Sequence, residues 1–301
     1  MRGMTLKKNP TLLPDDELTR VKKLALVAMV ADDDLLEQLV LKGGNAMDLV
    51  YGVSKRSSID LDFSTARDLD KAVALPKVQR TLESIFREQN YVAFDIRMIE
   101  RPGTMPDELA AFWGGYCVEF KLIQRSRADA LGSDLEQMRR HAINFGEGAR
   151  FTIDISRHEY VEPKQKATVD GYTVYVYSPE MIVCEKLRAI CQQMPDYAHI
   201  IKRQSLGKSR ARDFVDIDAL ITGYKIDLGS DRARGMVREM FAIKKVPLSL
   251  LARIGETQAL HEAEFDSVRE AMRPGQVLQP FAYYFEKVLE QCRLLEPLWN
   301  E

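Results

Sequence analysis

The sequence predicts an α+β fold, with a mixed α/β part over residues 1–177 and a mainly α-helical part over residues 178–301. Three observations carry this. Before Ser178, short segments alternate apolar and polar residues with the period of a half-buried strand, as in Val92, Phe94, Ile96 and Met98, or Phe151, Ile153 and Ile155. Stretches of helical periodicity lie between those segments. From Ser178 onward the pattern is almost wholly helical, opening with Ser178 placed to cap a helix and Pro179 at its first position.

In chain order, Asp15, Asp16 and Glu17 suit a helix N-terminus, and apolar periodicity continues to about Ala31. Asp32-Asp33-Asp34 reads as an acidic loop ahead of a strand at 39–41. Lys42-Gly43-Gly44-Asn45-Ala46 then forms a Gly-Gly turn into a short helix. The glycines let the backbone approach a ligand without Cβ atoms in the way, and a helix starting near Asn45 aims free N–H groups at an anion. A second strand at 60–63 points Asp60 and Asp62 to one face and Ile59, Leu61 and Phe63 to the core. A helix follows over about 68–89, with Pro76 expected to trim or kink it. Three strands at 91–99, 116–123 and 151–156 come next, the last two separated by a helix over about 128–142. Asp170-Gly171 marks a hairpin turn.

Composition narrows the functional classes. The chain has 301 residues and a formal net charge of −2, so no global field recruits nucleic acid and any such contact must come from a local patch. The cysteines Cys117, Cys184, Cys191 and Cys292 lack metal spacing and read as core residues in a reducing cytosol. The first ten residues carry no apolar signal-peptide region, and the longest apolar run, 24–31, is too short to span a bilayer. A soluble cytoplasmic protein is expected. His141, His158, His199 and His261 are dispersed, which argues against a histidine metal site or a Ser-His-Asp triad.

The chemistry centres on Asp60 and Asp62. Two carboxylates on one strand face repel each other, and a divalent cation removes that cost. Mg²⁺, or Mn²⁺ in its place, suits them as a hard ion shared with substrate phosphates. By itself an Asp-x-Asp strand reads first as a solvated face paired with Lys55 or Arg56; its conjunction with the Gly-Gly turn points to nucleotidyl transfer. Such chemistry normally wants a third carboxylate. Asp154 fits by strand phase, with Glu119 and Asp95 as competitors. In the helical part, Lys186 borders an apolar stripe, and Asp213 and Asp216 share one helix face, where Asp213 could meet a partner such as Lys186. A structural salt bridge explains that pair equally well. Lys202, Arg203, Lys208, Arg210 and Arg212 make a basic loop, the best candidate for contact with a nucleic-acid backbone.

The order Lys-Gly-Gly-x-Ala, Arg-x-Ser-x-Asp-Leu-Asp-Phe, Glu-Lys-Leu-Arg-Ala and Arg-Asp-Phe-x-Asp resembles the AbiEii/AbiGii toxin family of nucleotidyltransferases, which includes the MenT-type toxins and belongs to the DNA polymerase β-like superfamily. The resemblance covers roughly residues 41–220. It implies a polymerase β-like nucleotidyltransferase domain over 1–177 and a helical domain over 178–301 that completes the cleft. It also implies that Gly43 and Gly44 hold nucleotide phosphates, with Lys42, Asn45, Arg56 and Ser58 around them. Asp60 and Asp62 would hold metal, Lys186 would contact the triphosphate, and Asp213 would support it. Members are typically toxins of toxin–antitoxin or abortive-infection systems, with the antitoxin encoded by a neighbouring gene. Some add nucleotides to the 3′ end of tRNA. Asn45 stands where the broader superfamily has a Gly-Ser pair, and is expected to cap the helix. The rival readings are transfer to a protein hydroxyl, a sugar-nucleotide glycosyltransferase, and a binding module that keeps the fold.

Overall fold

Seven strands form one mixed sheet, β1 (Val40–Lys42), β2 (Leu61–Ser64), β3 (Tyr91–Arg101), β4 (Gly115–Gln124), β5 (Phe151–Ser156), β6 (Gln165–Val169) and β7 (Tyr172–Val176), in the order β3-β4-β5-β2-β1-β7-β6. The computed structural model describes residues 14–54, 60–132, 134–146, 148–273 and 275–301. The α+β class read from the sequence is the observed one. β2 pairs parallel with β5 and antiparallel with β1, while β7 runs parallel to β1. Alternation decides which face is core: Leu61 and Phe63 on β2, and Phe151, Ile153 and Ile155 on β5, are almost fully buried. The Asp15–Val30 and Lys71–Glu88 helices pack against each other, and the latter packs on β3.

Three local expectations are corrected. Asp32 is not part of a plain acidic loop: its carboxylate accepts the Asp34 and Leu35 N–H groups and caps the Asp33–Gln38 helix. The single helix expected over 128–142 is two, Arg125–Leu131 and Leu135–Arg140. Gly132, at φ 61°, ends the first, a conformation that glycine adopts freely, and Asp134 caps the second. The helix expected to start near Asp68 starts at Lys71 under an Asp70 cap, and Pro76 sits in its second turn without ending it.

Beyond Tyr177 the backbone is helical. Ser178 accepts the Met181 N–H and Pro179 opens the Pro179–Cys191 helix, as the sequence indicates. That helix packs on Ala211–Tyr224 and Asp231–Ala242, and Ala211–Tyr224 packs in turn on Phe281–Leu294. One apolar core runs without a break from Val21 to Leu298, so sheet and helices share an interior. All four cysteines are free and buried. No helix among the described residues is long and apolar enough to cross a membrane.

Candidate active site

The sheet register brings the acids together. Asp62 on β2 lies directly opposite Asp154 on the parallel strand β5, and opposite Lys42 on β1. All three side chains therefore project from one face of three adjacent strands. Asp60 sits immediately before β2, and its carboxylate accepts a hydrogen bond from the Thr152 hydroxyl. Burial, helped by Asp154, Glu185 and Asp60, pushes the Asp62 carboxyl up to about 6 despite the opposing pull of Lys42. The side chain of Asp154 is about half exposed and lies 3.6 Å from Arg101.

The Gly-Gly turn sits over this row. Gly43 has φ 67°, and a Cβ placed there would lie 2.6 Å from Asp62 Oδ2. Only glycine gives both the left-handed backbone and the close approach. The helix begins at Gly43 rather than Asn45, so Asn45 does not cap it. Instead the fully buried Asn45 amide donates to the Asp60 carbonyl at 2.6 Å and ties the turn to the acid-bearing segment. Arg56 and Ser58 lie outside the described residues.

From the helical side, Lys186 is buried and donates to Asp213 and to Asp216, each at 2.8 Å. Arg210 holds the other oxygen of Asp213 at 2.5 Å. Lys186, Arg210 and Arg212 face the Gly43-Gly44 turn, Asp60, Asp62 and Asp154 across a cleft of about 520 Å³. A second cleft of about 360 Å³ shares Lys42, Asp62, Asp154 and Glu185 with the first and extends to Arg101, Trp113 and Lys244. The acids thus form a ridge between two hollows.

The five residues of the basic loop do not form one exposed patch. Lys202 reaches Glu108 and Arg203 donates to the carbonyls of Gln192 and Gln193, while Arg210 and Arg212 line the first cleft. Lys208 is exposed, and its backbone N–H bonds to Gln193. The two competitors for third acid are engaged elsewhere, Glu119 with Arg101 and Arg150, and Asp95 with Arg139 and Lys121.

A profile of the family described as "Nucleotidyl transferase AbiEii toxin, Type IV TA system" matches residues 24–291. The chain belongs to the AbiEii family. It is accordingly a nucleotidyltransferase of a toxin–antitoxin type. A comparison with curated protein sequences finds no match. Among solved structures, JHP933 from Helicobacter pylori is similar over 96% of this chain and 95% of its own, with 16% identity and a TM-score of 0.49. An antigenic nucleotidyltransferase-like protein from Paracoccidioides brasiliensis is similar over 87% of this chain and 96% of its own, with 15% identity and a TM-score of 0.39.

In this AbiEii chain several residues around the site carry no role in the sequence reading. Glu185 borders both clefts and lies 3.7 Å from Lys42. Behind it, buried Glu159 pairs with Arg188 at 2.8 Å and Lys244 at 3.5 Å. Burial alone would raise the Glu159 carboxyl, but Arg188, Lys42 and Lys244 outweigh it and hold it at about 2. The network fixes Lys42 beside Asp62. Glu185 and Arg188 stand one helical turn apart in the Glu-Lys-Leu-Arg-Ala stretch, whereas Glu159 lies in none of the four motifs.

His261 is another. Its Nδ1 accepts the Arg210 N–H at 3.0 Å and its carbonyl accepts the Ser209 hydroxyl, which pins the start of the Ala211–Tyr224 helix at the cleft wall. Burial lowers its pKa to about 4, against a pull upward from Asp213. The unfolded chain then binds the proton first between about pH 6.5 and 4, so this residue's contribution to stability falls as pH drops through that window. The accumulated loss is on the order of 2–3 kcal/mol. Urea midpoints measured from pH 7 to pH 4 should fall less steeply in a His261→Gln variant than in the native chain.

Gly43→Ala should cost about 1–2 kcal/mol of stability through its left-handed backbone. It should also reduce transfer activity by more than that loss explains, because the new methyl turns the Asp62 carboxylate out of the cleft. Urea unfolding and a transfer assay on the same preparation separate the two effects.

Proposed function

We propose that this chain transfers a nucleoside monophosphate from an NTP to the 3′ end of an RNA, tRNA being the expected acceptor, and releases pyrophosphate. The observation that carries the reading is the Asp62–Asp154 register beneath the Gly43 turn, facing Lys186 across one cleft. The NTP lies in the first cleft, its phosphates against the Gly43-Gly44 turn, Lys186 and Arg210. Asp154, reachable from both clefts, accepts the proton of the attacking hydroxyl as its oxygen bonds to the α-phosphorus. The bond from that phosphorus to the bridging oxygen breaks, and pyrophosphate leaves with the electron pair.

The donor set fits Mg²⁺ or Mn²⁺. No group of three or more acidic, His or Cys side chains among the described residues is arranged to hold an ion unaided. A hard cation of this type typically takes one or two carboxylates and completes its shell with phosphate oxygens, and a paired Asp62 and Asp154 offer that. Burial, with Asp154, Glu185 and Asp60 nearby, raises the Asp62 pKa, a cost that a cation would relieve. When bound, the ion would offset the charge of the acids and the triphosphate, with Asp62 and Asp154 as its protein ligands and the expected ligand Asp60 beside them, accepting from Thr152. As in other toxin–antitoxin pairs, an antitoxin from a neighbouring gene is the expected partner.

The test is incubation with Mg²⁺ and each α-labelled NTP, with and without total RNA, beside an Asp60→Ala/Asp62→Ala variant. Label in a tRNA-sized band, absent with the variant, is the expected result. Label on protein without need of RNA would move the acceptor to a side-chain hydroxyl. No label on either, with both acceptors and an active antitoxin-free preparation present, would overturn the transfer reading.

A further inference from the structure

We infer that the second cleft receives the terminal nucleoside of the acceptor strand, with its base against Trp113 and its phosphate on Arg101. This rests on the transfer reading above. In-line displacement requires the attacking oxygen and the leaving pyrophosphate to lie on opposite sides of the α-phosphorus. The first cleft carries the features suited to a triphosphate: the Gly-Gly turn, Lys186 and Arg210. The attacking hydroxyl must then reach the acids from the other side of the Asp62–Asp154 ridge, and that side is the second cleft.

Its lining matches one nucleotide group by group. Asp154 stands at the ridge to meet the hydroxyl. Arg101 donates to Glu119 and lies beside Asp154, but half of its side chain stays exposed, so its guanidinium has room for a phosphate as well. Trp113 is only partly buried and borders the same hollow, its ring 6.0 Å from that of Tyr197 between centroids and 5.6 Å from the ammonium of Lys244, which lines the hollow too. A partly exposed indole at the edge of the hollow gives a base an aromatic surface to stack on. The basic loop offers no such ring. Lys244 does not need to be the phosphate contact, since its ammonium already donates to the carbonyls of Phe112 and Arg157. A hollow of about 360 Å³ suits one nucleoside, near the lower end of the roughly 300–1,000 Å³ typical of ligand sites. A protein hydroxyl would call for neither ring nor guanidinium.

The chain has two tryptophans, Trp113 and Trp299, and Trp299 borders neither cleft. A Trp299→Phe variant therefore makes Trp113 the sole indole reporter. A short oligoribonucleotide ending in a 3′-deoxynucleotide should quench its fluorescence saturably. Trp113→Leu should raise the acceptor KM on the order of 10- to 100-fold, while leaving the affinity for an α,β-methylene NTP unchanged. Arg101→Gln should shift the acceptor KM in the same direction and serves as a second variant if Trp113→Leu folds poorly. RNA labelling that proceeds with unaltered acceptor KM in both variants would overturn the assignment and leave the transfer reading standing. So would a loss of NTP-analogue affinity in place of acceptor affinity, or protein labelling indifferent to both substitutions. Failure of the native chain to label any acceptor would instead remove the transfer reading, and this assignment with it.

Discussion

Asp62→Asn should abolish nucleotide transfer and, at neutral pH without divalent metal, make the protein more stable. The activity loss is expected to be at least about 10³-fold, roughly 4 kcal/mol of transition-state stabilisation, because Asp62 lies opposite Asp154 at the point where both clefts meet. The stability gain follows from the sign of its titration. Burial raises the folded-state pKa from 3.8 to about 6, so the folded chain binds the proton more tightly than the unfolded chain. Stability is therefore lost as pH rises from about 4 to 6, and above 6 the penalty is complete. Asparagine cannot ionise and escapes it, a gain of about 1–3 kcal/mol given that the carboxyl retains some solvent contact. Over the same window His261 acts with the opposite sign, losing stability as pH falls. The two offset each other in the native chain, and Asp62→Asn should unmask the His261 slope. Urea unfolding in EDTA at pH 7, 6, 5 and 4 measures both effects. A variant less stable than the native chain at pH 7 would show that the Asp62 carboxylate is stabilised by its neighbours rather than strained by them.

The contrast between Asp62 and His261 shows what the sequence could and could not reveal. Alternation alone put Asp62 and Asp154 on the polar sides of their strands, because a period of two is a local property of the backbone. That β2 and β5 are neighbours is not local: it depends on one crossover, from β2 to β3, and on the antiparallel β3-β4 and β4-β5 pairings that bring the chain back. The phase was readable and the pairing was not. His261, 51 residues from the backbone N–H it accepts, left no local trace. Asn45 misled for a related reason. Asparagine is a common helix cap, but the helix already begins at Gly43, and the amide is used to hold Asp60. The basic loop misled because counting cations ignores their partners; Arg203 is spent on two carbonyls of the loop's own support. Gly132 shows the reverse failure, since a short polar glycine inside a helical pattern was a readable stop signal that periodicity overrode.

Lys186→Met should cost more stability than any other single change at the site, about 3–5 kcal/mol. The ammonium is almost fully buried and bonds two carboxylates that are themselves buried, Asp213 and Asp216. Removing it takes one ion-pair partner from each. Arg210 continues to hold Asp213 after the change. A chain carrying Lys186→Met together with Asp216→Asn loses one of the two carboxylates that faced the ammonium and should regain part of the stability. It should not regain transfer activity, because Lys186 also lines the cleft that faces the Gly43-Gly44 turn. The pair of variants divides the two roles that one lysine combines. Recovery of both stability and activity in the double variant would make Lys186 a structural residue, and the triphosphate contact would then pass to Arg210 and Arg212. Recovery of stability alone, with the KM for NTP raised and the fold intact by circular dichroism, would place the ammonium on the phosphates.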